Sequence, residues 1–451
     1  MSGWGLSAKR ICAAFCAAAI FACLGAGCAS AAPAPVTPGL ISAMNGESLS
    51  ELPSSDWDAQ MAAMAAQGVQ VVRSDASWTT IEPTFPNASG NRWSFTVTDQ
   101  WVAALAAHHL RWQPILDYDN WWATAVGDNA AFATYGAEVA SRYGPGGAFW
   151  TENPQLPYLP VQILEVWNEE NGQPWYISPA DYGPLYTATR SAIHAVDPTA
   201  SVDVGGLSDD SGDFDANDDY PSWYVIRLLN LYPAMRGQID GFALHPYGTT
   251  ADDVIDWVNE FRATLDSLGE SGTPIDITEV GWVTGDSSQE QWRAEQMAQL
   301  GQAFTHSSDD LRELAPYDWV NSTTVGDPGD FGFVDETGTD TTLRPAAVAW
   351  FQALDAAGVG ATVSSSSTSS ATSSSTTSSS TTPSASFSSK PSTVPVATPA
   401  STKKSKSKRS LKTSNKDHRA RAARRGSERR RAGRRRRKRR RRVTHRRSTR
   451  L

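Results

Sequence analysis

From residue 40 to residue 356, short apolar runs alternate with stretches of helical periodicity. The runs at 40–44, 69–74, 111–117, 161–167, 201–206, 240–245, 274–279 and, more weakly, 313–319 have strand length. The segments between and after them, at 56–67, 98–109, 129–142, 179–196, 221–232, 251–268, 288–306 and 344–356, repeat their apolar positions every three to four residues and predict helices. Strands such as Val69-Gln70-Val71-Val72 are short and largely apolar on both faces, as in a parallel sheet covered by helices. Eight such units in one chain predict an α/β protein of the (β/α)8 TIM-barrel class. The alternative, a doubly wound sheet, would want a glycine-rich phosphate loop after an early strand, and the sequence has none.

The flanks change the picture. Lys9 and Arg10 precede an apolar run at 11–24, and Ala29-Ser30-Ala31 follows as a small-x-small site. Residues 1–31 therefore read as an export signal, and the protein is expected to be secreted, with association to the cell envelope as an option. An N-terminal anchor, or a lipoprotein through Cys28, are the alternatives. All four cysteines (Cys12, Cys16, Cys23 and Cys28) lie in that segment, so the processed chain would hold no disulfide. No later stretch is apolar and long enough to be a transmembrane helix. The catalytic body is read as residues 38–358. Residues 361–400 form a Ser/Thr/Pro-rich linker too polar to bury a core, and 401–451 an Arg/Lys-rich disordered tail.

The formal charge of -8 divides unevenly along the chain. Residues 1–400 hold 14 Lys/Arg and 46 Asp/Glu, a balance of -32, whereas 401–451 hold 26 Lys/Arg and 2 Asp/Glu, a balance of +24. An acidic body excludes a globally basic nucleic-acid binder, and its apolar content excludes a wholly disordered chain.

In a (β/α)8 barrel, chemistry sits where the strands end. The fourth strand runs into Glu165-Val166-Trp167-Asn168-Glu169-Glu170 and the seventh into Thr278-Glu279-Val280-Gly281-Trp282. A carboxylate delivered by an apolar strand is unfavourable unless it has a partner or a task. Strands four and seven lie across the mouth from one another, so Glu169 and Glu279 could flank one bond. Glycoside hydrolysis uses such a pair, one carboxyl to protonate the leaving oxygen and the other to attack or to activate water.

On these residues the chain resembles the retaining glycoside hydrolases of clan A, families 5 and 39 above all, over about residues 41–354. Asn168-Glu169 after strand four and Glu279 after strand seven carry the likeness. Arg73, His245-Pro246-Tyr247 and Trp319 add to it on strands two, six and eight. The resemblance implies Glu169 as acid/base, Glu279 as nucleophile and Asn168 as partner of the sugar 2-hydroxyl. Arg73 and Tyr247 would keep Glu279 ionised, His245 would line the site, and Trp319 would be a platform under the sugar. It implies retention of configuration, a carbohydrate substrate and no cofactor. Glu170 stands where many relatives carry proline. Glu165, on the same side of the strand as Glu169, is expected deeper as a structural partner.

The tryptophans support a sugar site. Trp78, Trp121, Trp122, Trp175 and Trp282 follow candidate strands and are expected at the rim, with Trp282 and Trp319 in contact with substrate. Trp101, Trp112, Trp257, Trp292 and Trp350 are expected in the core. Residues 209–219 carry six aspartates, but Asp218 stands where a calcium loop needs glycine, so a solvated acidic loop is favoured over a metal site. No metal is expected. The histidines at 108, 109, 194 and 306 do not converge. The tail, residues 403–450, is expected to grip an anionic cell-wall or envelope polymer. It lacks aromatic interleaving, so no specific nucleic-acid partner is expected. The competing class is a non-catalytic polysaccharide-binding envelope protein anchored by that tail.

Overall fold

Eight parallel strands close into a barrel in chain order. They are β1 (Ile41–Asn45), β2 (Val71–Ser77), β3 (Arg111–Asp117), β4 (Ile163–Asn168), β5 (Ser201–Ser208), β6 (Gly241–His245), β7 (Ile275–Ile277) and β8 (Leu311–Leu314). Each pairs with the next, and β8 closes on β1 through Ile41–Glu313 and Ser42–Leu314. The computed structural model describes residues 39–86, 92–208, 220–284, 287–321, 330–334 and 338–360. The expected export signal, acidic loop 209–219, linker and basic tail lie outside the described residues.

The helices are α1 (Glu47–Glu51), α2 (Ser54–Ala66), α3 (Trp78–Ile81), α4 (Thr96–Ala107), α5 (Asn129–Tyr143), α6 (Ala148–Glu152), α7 (Pro179–Val196), α8 (Pro221–Leu231), α9 (Ala251–Leu268), α10 (Ser287–Phe304) and α11 (Pro345–Ala356). The eight long ones match the periodic segments of the sequence. The single-turn helices α1, α3 and α6 are too short to register as a period. Local chemistry fixes several ends. Thr250 and Asp253 form a capping box on α9, and Gly269 ends that helix at φ 88°. Ser178 caps α7, with Pro179 in its first turn.

The main core lies between barrel and helices, where Val72, Leu116, Leu164, Val204, Phe242 and Ile277 meet the helical Leu, Ile, Trp and Tyr side chains. Inside the barrel only a small apolar layer remains, of Ala43, Val71 and Ala315 with Ile41 packed against it. The rest of the interior is polar. Near the strand starts, Arg312 donates to Asp203 at 2.7 Å, to Ser201 at 2.8 Å and to Asp276. Glu313 is fully buried beside them, and burial pushes its carboxyl well above the usual range. Between residues 32 and 360 every cation is an arginine, eleven in all against 46 acids. No helix among the described residues is long and apolar enough to cross a membrane.

β8 begins and ends earlier than the sequence predicts. It stops at Leu314, so Trp319 lies five residues beyond the strand.

Candidate active site

Arg73, fully buried on β2, organises the mouth. Its Nε and Nη2 donate to the two oxygens of Glu165 at 2.7 and 3.0 Å, and Nη1 donates to Glu279 Oε1 at 2.8 Å. Nη2 also reaches Asn168 Oδ1 at 2.8 Å and His245 Nε2 at 3.3 Å. One guanidinium thus ties β2 to residues at the ends of β4, β6 and β7. Burial alone would weaken its charge, but Glu165 and Glu279 raise its pKa well above the ordinary value. Glu165 takes a further bond from Gln113 Nε2 at 2.9 Å and has no exposure, which makes it the expected structural partner.

Glu279 has a second donor. Tyr247 gives its hydroxyl to Oε2 at 2.7 Å, so guanidinium and phenol grip opposite oxygens. Burial and the neighbouring Glu279 charge push the Tyr247 phenol well above its normal pKa, which keeps it a donor.

His245 connects the two glutamates. Its Nδ1 lies 3.3 Å from Glu169 Oε1 and 3.6 Å from Glu279 Oε2. Complete burial lowers its pKa to about 4. A neutral ring has one donor and one acceptor nitrogen. Arg73 can only donate, so Nε2 is the acceptor and Nδ1 carries the hydrogen toward Glu169. One carboxylate oxygen of Glu169, one of Glu279 and a ring nitrogen of His245 all lie within 4.8 Å of one another. Among the described residues this is the one trio with metal-ligand spacing, and Arg73 already supplies positive charge to it.

The backbone delivers Glu169 by an unusual path. Trp167 and Glu169 both occupy the left-handed region, at φ 76° and 54°. Each costs about 1 kcal/mol or more for a non-glycine residue. The Glu169 amide donates to Gly206 O at 3.0 Å, and the Trp167 indole donates to Trp175 O at 3.0 Å, which holds the turn. Gly205 and Gly206 make room for it. A Cβ on Gly205 would fall 2.5 Å from Trp167 O, and one on Gly206 would fall 2.1 Å from His245 Nε2. The turn sends the next two carboxyls apart: the Glu169 side chain keeps 27% exposure, whereas Glu170 has none. Burial raises Glu170 to about 8, so it is a neutral acid beneath the site.

Six of the eight residues named from the sequence meet here: Arg73, Asn168, Glu169, His245, Tyr247 and Glu279. The two tryptophans do not offer the expected platforms. Trp319 is fully buried, with its indole bonded to Gln60 on α2 at 2.7 Å and its ring against Phe351 on α11. The backbone after β8 stays bonded to its neighbours, the Asn45 amide donating to Pro316 O and the Tyr317 amide to Val280 O, and it is the Trp319 side chain that points outward into the helix layer. Trp282 is 8% exposed and donates to Gly248 O at 2.6 Å, bracing the loop after β7 against that after β6. Trp78 is also core rather than rim, and Trp292, expected in the core, is 37% exposed.

The aromatic faces at the mouth belong to other residues. Tyr118 stacks on Trp175 at 4.4 Å and accepts a long bond from Asn168 Nδ2 at 3.4 Å. Tyr317 and Tyr247 both pack edgewise on Phe331. Sequence reading passed over Tyr118, Tyr317 and Phe331 because tyrosine and phenylalanine in loops carry no pattern. Asp117-Tyr118 directly ending β3 was the available signal.

No family model matches the sequence, and the search of curated proteins returns no match. Solved structures do match in fold. A family 39 glycoside hydrolase from Bacteroides cellulosilyticus WH2 superposes with a TM-score of 0.51 at 18% identity, covering 71% of this chain and 64% of that one. A monomeric β-xylosidase from Caulobacter crescentus CB15 gives 0.51 at 16% identity, covering 71% and 69%. The GH5_18 protein of Streptomyces cattleya, solved with GlcNAc, gives 0.51 at 15% identity, covering 72% and 81%. The fold is shared. This chain spans less than two thirds of the Bacteroides enzyme's length.

Proposed function

We propose that this protein is a retaining glycoside hydrolase acting on β-glycosidic bonds of oligo- or polysaccharides. The observation that carries the reading is that an oxygen of Glu169 and an oxygen of Glu279 lie within 4.8 Å of each other, with His245 beside both and Arg73 and Tyr247 on Glu279. Carboxyl groups about 5–5.5 Å apart fit double displacement, whereas inversion needs about 6.5–9.5 Å to admit a water. In the first step a Glu279 oxygen bonds to the anomeric carbon as the bond to the leaving oxygen breaks. Glu169 gives its proton to that oxygen. In the second step Glu169 takes a proton from water, the water oxygen bonds to the anomeric carbon, and Glu279 departs as carboxylate. Asn168, held by Arg73, is placed for the sugar 2-hydroxyl.

The likeness in fold to family 39 and family 5 proteins supports the reading. Export through residues 1–31, and retention by the basic tail on an anionic envelope polymer, complete the proposal from the sequence. The test is hydrolysis of a panel of aryl β-glycosides and polysaccharides by wild type, Glu169→Ala and Glu279→Ala. Wild type should turn over at least one substrate, and Glu279→Ala should lose on the order of 10³-fold or more. Azide should rescue Glu279→Ala and yield the glycosyl azide of inverted configuration. Equal inertness of wild type and Glu279→Ala across the panel would favour a binding protein instead.

A further inference from the structure

The rim of the barrel is unevenly aromatic. Phe85, Trp121, Trp175, Tyr220 and Trp223 are all exposed, and they follow β2, β3, β4 and β5 in that order. Trp121 is 63% exposed, Trp175 39% and Trp223 65%. Among the described residues, the loops after β6, β7 and β8 carry no aromatic ring of comparable exposure. Single exposed aromatics are ordinary on a protein surface, but a row of them beside a cleft marks a surface that binds something.

The row is braced from behind. The Trp121 indole donates to Pro83 O at 3.1 Å, which ties its nitrogen to the loop after β2 while the ring stays in solvent. Buried Asn120 donates to Glu82 O at 2.9 Å and accepts from the Trp121 amide at 2.7 Å. Trp122 packs edgewise on both Trp78 and Phe85 at 5.4 Å. Trp175 lies against Tyr118, and its carbonyl takes the Trp167 indole. Two residues on, Ile177 O takes the Tyr224 hydroxyl at 2.8 Å, which brings the start of α8, and with it Trp223, to the same loop. Rings fixed in this way lose little freedom when a flat ligand lies on them. The row also joins the cleft, because Tyr118 is the partner of Asn168, the residue before Glu169. Glu169 protonates the leaving oxygen, so the leaving part of a substrate emerges on this side.

We propose that this aromatic row binds a polysaccharide chain beyond the scissile bond, on the leaving-group side, so that the preferred substrates are polymers that extend several sugars past the cut. The occupant follows from continuity with the cleft: a chain leaving the bond between Glu169 and Glu279 meets Tyr118 and Trp175 first, and the apolar faces of its sugars suit indole rings that offer faces rather than charge. The side assigned rests on the glycosidase reading, whereas the binding of a chain does not.

The test is affinity electrophoresis of the full chain, in the cold, through native gels containing hydroxyethyl cellulose, glucomannan or arabinoxylan. These polymers are neutral and give the basic tail no charge to grip. At least one should retard wild type, and Trp121→Ala and Trp175→Ala should each weaken that retardation at least about fivefold. Trp121→Ala should melt within about 2 °C of wild type, since its ring is in solvent. A second arm uses the β-fluorides of glucose, mannose and xylose, whose leaving group is a single atom. The loss of kcat/KM in Trp121→Ala should be at least about fivefold larger on the retarding polymer than on the fluoride, and it should appear mainly in KM. Retardation of wild type by none of the polymers, unchanged retardation of both variants, or equal losses on polymer and fluoride overturns the proposal. Retardation that needs the two tryptophans, without hydrolysis of any polymer or fluoride, would sink the catalytic reading and leave the chain-binding surface standing.

Discussion

At the scale of single residues, Glu169 and Glu170 show how position decides chemistry. They are identical and adjacent, yet one reaches the mouth and the other lies in the core, because the left-handed turn at 167–169 separates them. Replacing Glu170 by Gln substitutes one neutral hydrogen-bonding group for another, so kcat should fall no more than about threefold, whereas Glu169→Gln should abolish general acid/base help worth about 10²–10⁴-fold. Glu170 also carries a pH dependence. The folded-state pKa of Glu170 is raised from 4.5 to about 8, so its contribution to stability is complete below 4.5 and is lost as pH rises through about 8. Thermal unfolding of wild type against Glu170→Gln should therefore show a gap in favour of the variant that widens from pH 5 to pH 9. His245 has the opposite sign. Its pKa falls from 6.5 to about 4, so stability present above 6.5 is lost as pH drops through 4. Glu169 and Glu279 were legible in the sequence because a carboxylate after an apolar run is conspicuous, whereas Arg73, Asn168, His245 and Tyr247 came from the family resemblance. Trp319 was misplaced because a one-dimensional reading cannot tell which side chain after β8 meets the mouth: Tyr317 packs there on Phe331, whereas Trp319 points into the helix layer.

At the scale of elements, two devices hold the site. The first is the Arg73 fork between β2 and the ends of β4, β6 and β7. Arg73→Ala would leave Glu165 a buried charge without its cation. The loss should be about 3–5 kcal/mol, read from denaturant unfolding, with activity lost as well. Arg73→Lys should restore charge but not activity, since one ammonium cannot serve Glu165, Glu279 and Asn168 in their present directions. The second device is the Gly205-Gly206 pair in β5. Gly206→Ala places a Cβ against the His245 ring, so kcat should fall at least about tenfold while the helical circular dichroism stays unchanged. The eight strands were readable because each carries apolar residues for the helix layer, although most of their barrel-facing residues are polar. β8 was the weakest, since Arg312 and Glu313 interrupt its pattern. The structure explains that interruption, because Arg312 supplies the interior ion cluster with its cation. The single-turn helix α1 was invisible, and with it the placement of Glu47.

At the scale of the whole molecule, charge is the organising feature. Residues 32–360 carry 11 cations and 46 acids, a balance of -35, against +24 in residues 401–451. The barrel has its own closed core, so a chain ending at residue 360 should unfold at the same temperature as the full chain in 0.5 M salt. It should hydrolyse small glycosides with kcat/KM within about twofold of the full chain. Retention on an anionic polysaccharide column should be lost with the tail, and in the full chain it should fall steeply with salt.

The all-arginine barrel has a practical side. Reagents that acylate primary amines react with lysine and leave guanidinium groups untouched under mild conditions. Residues 32–360 offer them no lysine, while residues 390–438 offer eight. A dye, a biotin or a resin coupled through lysine will therefore join the molecule within residues 390–438, with the α-amino group as the other reactive amine. The cleft, with its arginine fork and its acids, will remain chemically as it was.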